Sequence, residues 1–137
     1  LRAAGGRAEV IAVGIKLHDL SYVSHQMTLR NATNITIEIH HWACQLFDEL
    51  WDGRAIRHLG IHTSRIRDGL DMRQLDMFET VDYEKLERMD AAVDQIRKRY
   101  GNDSVMRAAF IGSPIDHMSG GISREKRTVD YKKIQMN

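Results

Sequence analysis

From Glu9 to Leu17, Ile11, Val13, Ile15 and Leu17 alternate with Ala12, Gly14 and Lys16. A strand buried on one face gives that period. After a short polar break, His18 to Tyr22, the alternation resumes from Val23 to Arg30. Val23, His25, Met27 and Leu29 fall on one side, and Ser24, Gln26, Thr28 and Arg30 on the other. The two runs predict an antiparallel hairpin. The period then changes. Ile35, Ile39, Trp42, Ala43, Leu46 and Leu50 recur at helical spacing, with Thr33 or Asn34 as the expected N-cap and Gly53 as the stop. Glu38, His41, Gln45 and Asp48 occupy the expected outer face of this helix.

A third strand is predicted over Ala55 to Ile66. Leu59, Ile61 and Thr63 lie on one face, and His58, Gly60, His62 and Ser64 on the other. Three strands and one helix make a small core, and surface-to-volume scaling leaves such a unit marginal. A further strand and helix are therefore expected before it, with Leu1 to Gly6 as the last turn of that helix. Asp68 to Thr80 is polar and reads as a linker. Tyr83 to Tyr100 is a second amphipathic helix. Its stripe is Leu86, Met89, Val93, Ile96 and Tyr100, Asp82 or Thr80 caps it, and Gly101 ends it. Ser104 to Ile111 fits a short strand or a short helix. Gly, Ser, Arg and Lys dominate from Gly112 onward, so a mobile basic tail is expected. The fold class predicted is α+β, an antiparallel sheet backed by helices.

Composition narrows the function classes. The chain has 137 residues, of which 42% are apolar, and no apolar run reaches the ~20 residues that cross a bilayer. Leu1 to Arg7 lacks the apolar stretch of a signal peptide, so a cytoplasmic location is expected. Without an initiator Met, the chain reads as a piece of a longer protein. Cys44 is the single cysteine, which excludes an internal disulfide and a cysteine-rich zinc site. The two sequons at Asn31 and Asn34 lack any secretory context. The formal net charge is +1, so overall charge gives no sign of nucleic acid. Any such binding must come from local placement of charge. His40 and His41 have no partner at ligand spacing. His58 and His62 share a strand face about 13 Å apart, too far to hold one ion. No metal site is expected.

Four stretches together carry a family resemblance. They are Tyr22-Val23-Ser24-His25-Gln26-Met27-Thr28-Leu29 followed by Ala32-Thr33-Asn34; Leu46-Phe47-Asp48-Glu49-Leu50-Trp51-Asp52-Gly53 followed by Ile56-Arg57 and Leu59-Gly60-Ile61; Gln74-Leu75-Asp76-Met77-Phe78; and Asp94-Gln95-Ile96-Arg97-Lys98-Arg99-Tyr100-Gly101. Their order and spacing resemble the little-finger domain of a Y-family DNA polymerase of the bacterial DNA polymerase IV type, with its C-terminal extension. That domain runs strand, helix, strand, strand, helix, strand, and this chain matches the later four elements. The resemblance implies a partial little finger over residues 1–67 and a clamp-binding linker over 68–81. A helical extension over 82–111 and the tail over 112–137 complete this division.

The same resemblance implies a division of labour. The catalytic carboxylates and their Mg2+ ions belong to the family's palm domain, so the parent protein is expected to be a DNA-directed polymerase and this piece to carry no catalytic residue and no cofactor. The little finger lays a polar sheet face on the phosphates of a primer-template duplex. The residues expected to contact DNA are Lys16, Ser24, His25, Gln26, Thr28, Arg30, Thr33, Asn34 and His62, with Thr33 and Asn34 offering helix N-terminal amides. Gln74-Leu75-Asp76-Met77-Phe78 matches the peptide glutamine-leucine-(serine or aspartate)-leucine-phenylalanine that docks on the bacterial sliding clamp, with Met77 in place of leucine. Leu75, Met77 and Phe78 would enter an apolar groove and Gln74 would bond at its rim. A sheet with an open strand position also invites edge pairing, and hence a homodimer. Two other readings fit the residues: a non-catalytic DNA-binding or clamp-associated adaptor, and a ferredoxin-like small-ligand domain.

Overall fold

The computed structural model describes residues 1–68 and 81–114. In these, a 3-10 turn (Arg2–Ala4) is followed by β1 (Gly6–Leu17), β2 (Tyr22–Thr33), α1 (Thr36–Leu50), β3 (Ile56–Asp68) and α2 (Tyr83–Tyr100). The strands form one antiparallel sheet in the order β2-β1-β3. The architecture is the α+β class expected. Two compact units are present, Leu1–Asp94 and the segment from Gln95 onward.

The core of the first unit follows from the alternation in β1. Ile11, Val13, Ile15 and Leu17 are buried together with Leu29 of β2 and Ala43 and Leu46 of α1. Fully burying one such aliphatic side chain contributes roughly 1.5–3 kcal/mol. β1 sits between two neighbours, and α1 packs across its apolar face. β2 and β3 are the two edges. Leu59 and Ile61, on one face of β3, each remain 51% exposed, because α1 covers the sheet over β1 and β2.

The hairpin closes through His18 to Ser21. The Leu17 amide donates to the Ser21 carbonyl at 2.9 Å. Asp19 accepts from the Ser21 amide at 2.9 Å and the Ser21 hydroxyl at 2.5 Å. The hydroxyl bond, with the amide, holds the Asp19 carboxyl below its ordinary pKa. β2 runs three residues beyond the Arg30 end predicted from alternation, to Thr33. Its pairing shifts where Ala8 to Val10 of β1 lies opposite Thr28 to Thr33. Such a bulge bends the strand and increases its local twist.

α1 departs from the expected capping. Thr33 and Asn34 are not its N-cap; Ile35 holds that position and has no side chain to offer. The acceptor comes from 54 residues downstream, where Asp90 Oδ2 of α2 accepts from the Thr36 amide at 2.7 Å. Asp90 is the buried residue of α2, only 7% exposed, whereas Met89, Ile96 and Tyr100 of the predicted apolar stripe are exposed. Leu86 and Val93 of that stripe are half-buried, and polar contacts also tie the helix down. Arg2 donates to Asp94 Oδ2 at 2.6 Å and Oδ1 at 2.9 Å, to Asp90 at 3.2 Å and to the Asn34 carbonyl at 2.9 Å. The Asp94 bonds raise the Arg2 pKa against the opposing effect of burial. Arg7 pairs with Glu87 at 2.8 Å. Asp82 caps α2, as expected, by accepting from the Lys85 amide.

In the second unit, the predicted stop at Gly101 is present, with φ +101° and its amide on the Arg97 carbonyl. Ser104 to Ile111 is neither strand nor α-helix. Short 3-10 turns span Asn102–Ser104 and Ala108–Phe110, and Arg97 donates to the Val105 carbonyl.

Candidate nucleic-acid interface

The register of the sheet decides which polar side chains share a face. Directly opposed residues on neighbouring antiparallel strands point the same way. Ile11, Val13 and Ile15 face α1, so the intervening positions of β1 define the open face. Four cross-strand rows follow: Tyr22, Lys16 and His58; Ser24, Gly14 and Gly60; Gln26, Ala12 and His62; Thr28, Val10 and Ser64. The polar members of these rows are all exposed.

No Asp or Glu occupies any of these row positions, although the chain holds 19 of them. The carboxylates of α1 and α2 belong to the helical side of the first unit. Glu9 of β1, on the α1 side, is bonded by Arg67 at 2.9 Å, which holds its carboxyl below the ordinary range. The near-neutral net charge therefore conceals a segregated arrangement. These four rows carry Lys16, two imidazoles, hydroxyls and an amide without a carboxylate among them, and Asp68, paired with Gly6, stands on the same face at its far end. A polyanion approaching these four rows meets donors and one fixed positive charge, with no like charge among them to repel it.

The structure brings Lys16, Ser24, Gln26, Thr28 and His62 together on this face, with His58 and Ser64, polar residues of the same face of β3, beside them. His25 lies elsewhere. It pairs with Val13 on the α1 side, where its Nε2 is 3.2 Å from Glu49 Oε2. Thr33 is 1% exposed, accepts from the Ile35 amide and donates to Glu38. Asn34 directs its carbonyl to Arg2. With Asp90 on the Thr36 amide and Glu38 beside Thr33, the start of α1 is already occupied by carboxylates. Arg30 is exposed in the stretch of β2 that lies within the pairing shift. Gln74, Leu75, Asp76, Met77 and Phe78 lie outside the described residues.

Sequence reasoning missed Tyr22, which it placed in the polar break. It is the first residue of β2 and is 59% exposed. Its ring folds across onto β1. A Cβ built on Gly14 would collide with the phenol oxygen and stand 2.8 Å from Cζ and 3.1 Å from Cε2. The signal available in the sequence was an aromatic residue at the edge of an otherwise polar strand face, with a glycine two residues before Lys16.

Among the described residues, no group of three His, Cys, Asp or Glu side chains could hold a metal ion. The Mg2+ implied for the parent protein does not fit the described residues. No helix among them is long and apolar enough to cross a membrane.

Comparisons with known proteins show the family. Residues 1–77 match the impB/mucB/samB family C-terminal domain. A DNA polymerase IV of Clostridium acetobutylicum is 34% identical over 111 residues, covering 81% of this chain and 28% of the relative. A DNA polymerase IV 2 of Bacillus subtilis is 30% identical over 113 residues, covering 80% and 27%. A putative UV-damage repair protein UvrX of Bacillus subtilis is 31% identical over 104 residues, covering 75% and 24%. The chain thus spans little more than a quarter of the length of these relatives. No solved structure matches. This chain belongs to the impB/mucB/samB family and carries its C-terminal domain, the little-finger domain of a Y-family DNA polymerase of the DNA polymerase IV type.

Proposed function

We propose that this chain is the DNA-holding and clamp-docking part of a translesion DNA-directed DNA polymerase. Its open sheet face, over the four rows that carry no carboxylate, holds primer-template duplex through phosphates. The observation that carries this reading is the set of cross-strand rows, in which Lys16, Ser24, Gln26, Thr28, His58 and His62 share one exposed surface. Donors of this kind bond phosphate oxygens and read no base edge, so the grip is indifferent to sequence. A polymerase that must pass along any template needs that property. Nucleotide transfer is the work of the rest of the protein.

The second half of the proposal concerns Gln74-Leu75-Asp76-Met77-Phe78. Three apolar anchors and one amide make a small interface with moderate affinity. The sliding clamp would thereby concentrate the polymerase at the primer terminus without fixing it there. The resemblance of the pentapeptide to clamp-docking peptides, and its place after the domain, support this reading. The test is binding of the chain to primer-template DNA and to purified bacterial clamp, side by side. Gln74→Ala, Phe78→Ala should abolish clamp binding and leave DNA binding intact. Equal clamp binding by wild type and variant would refute docking, and absence of DNA binding would refute the grip.

A further inference from the structure

The Tyr22 hydroxyl and His62 face the same pair of glycines. Gly14 and Gly60 are directly opposed on β1 and β3, and paired strands hold such residues on the order of 5 Å apart. The Tyr22 phenol oxygen lies over Gly14. From the other side, His62 Nε2 lies 3.5 Å from the Cβ position of Gly60. The Tyr22 phenol takes the space over Gly14, and Gly60 has no side chain to fill the space beside it. Among the described residues, no hydrogen bond is found to the Tyr22 hydroxyl or to the His62 ring. Lys16 and His58 occupy the adjoining row.

An exposed tyrosine laid flat on a polar sheet leaves its hydroxyl needing a partner from outside, since a phenol can both donate and accept. A tetrahedral phosphodiester fits that need. One non-bridging oxygen can take the phenol O–H and another the imidazole Nε2–H, while the missing side chain of Gly60 lets the phosphate settle close to the backbone there. We infer that Tyr22 and His62, over the Gly14–Gly60 pair, form a two-donor seat for a single backbone phosphate, with Gly14 as the residue that positions Tyr22. The inference rests on the DNA-holding reading above and sharpens it to one phosphate.

The seat assigns distinct roles to two residues. Tyr22 touches the phosphate, whereas Gly14 acts only through Tyr22, because any Cβ there displaces the ring. The experiment measures duplex affinity of the full chain at one fixed salt concentration by fluorescence anisotropy. The variants are Tyr22→Phe, Tyr22→Ala, Gly14→Ala and the double variant, with thermal melts run on each. Tyr22→Phe keeps the ring and loses only the hydroxyl, and should weaken binding about tenfold, the size of one hydrogen bond to a charged group. Gly14→Ala should weaken it similarly, and should add nothing in the Tyr22→Ala background. If wild type binds and Tyr22→Phe binds as tightly, the seat is wrong and the wider grip stands. The seat is equally wrong if Gly14→Ala costs as much without Tyr22 as with it. If wild type shows no affinity for duplex, the DNA-holding reading itself fails and the seat with it.

Discussion

Replacing Asp90 by alanine removes an acceptor that serves two elements at once. Asp90 Oδ2 accepts from the Thr36 amide at 2.7 Å and from Arg2 Nη1 at 3.2 Å, and its side chain is buried. Losing the first bond resembles losing an N-cap, about 1 kcal/mol. Losing the second removes a charge-assisted bond, worth roughly 1.5–3 kcal/mol in full. Arg2 retains both of its bonds to Asp94, so only part of that is forfeited. The sum for Asp90→Ala is about 2–3 kcal/mol. Asp90→Asn keeps an oxygen for the Thr36 amide and loses the charge facing Arg2, so about 1 kcal/mol is expected. For a domain of this size 1 kcal/mol shifts Tm by about 4–8 °C, which makes the two variants distinguishable by calorimetry as well as by urea titration. An Asp90→Ala variant within ~0.5 kcal/mol of wild type would refute the capping argument. So would an Asn variant as damaged as the Ala variant, since a cap depends on the oxygen and not on the charge.

Three further outcomes follow from the same geometry. Ile15→Ala, at a fully buried position, should cost about 2–5 kcal/mol in urea unfolding, whereas Leu59→Ala on the half-exposed edge should cost under ~1 kcal/mol. The Glu9 carboxyl is held low by Arg67, so its contribution to stability is full above the ordinary carboxylate pKa and is lost as pH falls through the depressed value. NMR titration should show the Glu9 midpoint rising toward the ordinary value in Arg67→Gln. Gly14→Ala should leave the hairpin intact yet alter the aromatic signals of Tyr22, seen by NMR, because a Cβ there cannot coexist with the ring in its present place.

Much of the fold could be read from the chain because β1 is central and flanked on both sides. Its alternation maps directly onto burial at Ile11, Val13, Ile15 and Leu17. β3 carries a similar alternation, but burial there depends on what covers the edge, and no local pattern encodes that. The N-terminus of α1 was misread for a related reason. Thr33 and Asn34 are good caps by type, yet the acceptor is supplied by Asp90, a tertiary contact invisible at that separation in sequence. The candidate site was legible in its membership and not in its arrangement. Alternation separates Ser24, Gln26 and Thr28 from His25, and the structure bears out that separation. The link between Tyr22 and Gly14 required the register of β1 against β2, and the absence of carboxylates from the four polar rows required the register of all three strands.

The central claim, that the open sheet face holds DNA, is tested most directly by placing one negative charge on each side of the sheet. Gln26→Glu puts it in the row of Ala12 and His62, and Gln45→Glu puts it on the outer face of α1. Duplex affinity of both variants and wild type is measured across a salt series. A unit charge within about 4 Å of a phosphate costs about 1 kcal/mol in water. The account predicts that Gln26→Glu binds about fivefold more weakly at low salt, that this deficit shrinks as salt rises, and that Gln45→Glu binds as wild type does. Equal affinity of Gln26→Glu and wild type, or a loss confined to Gln45→Glu, would contradict it.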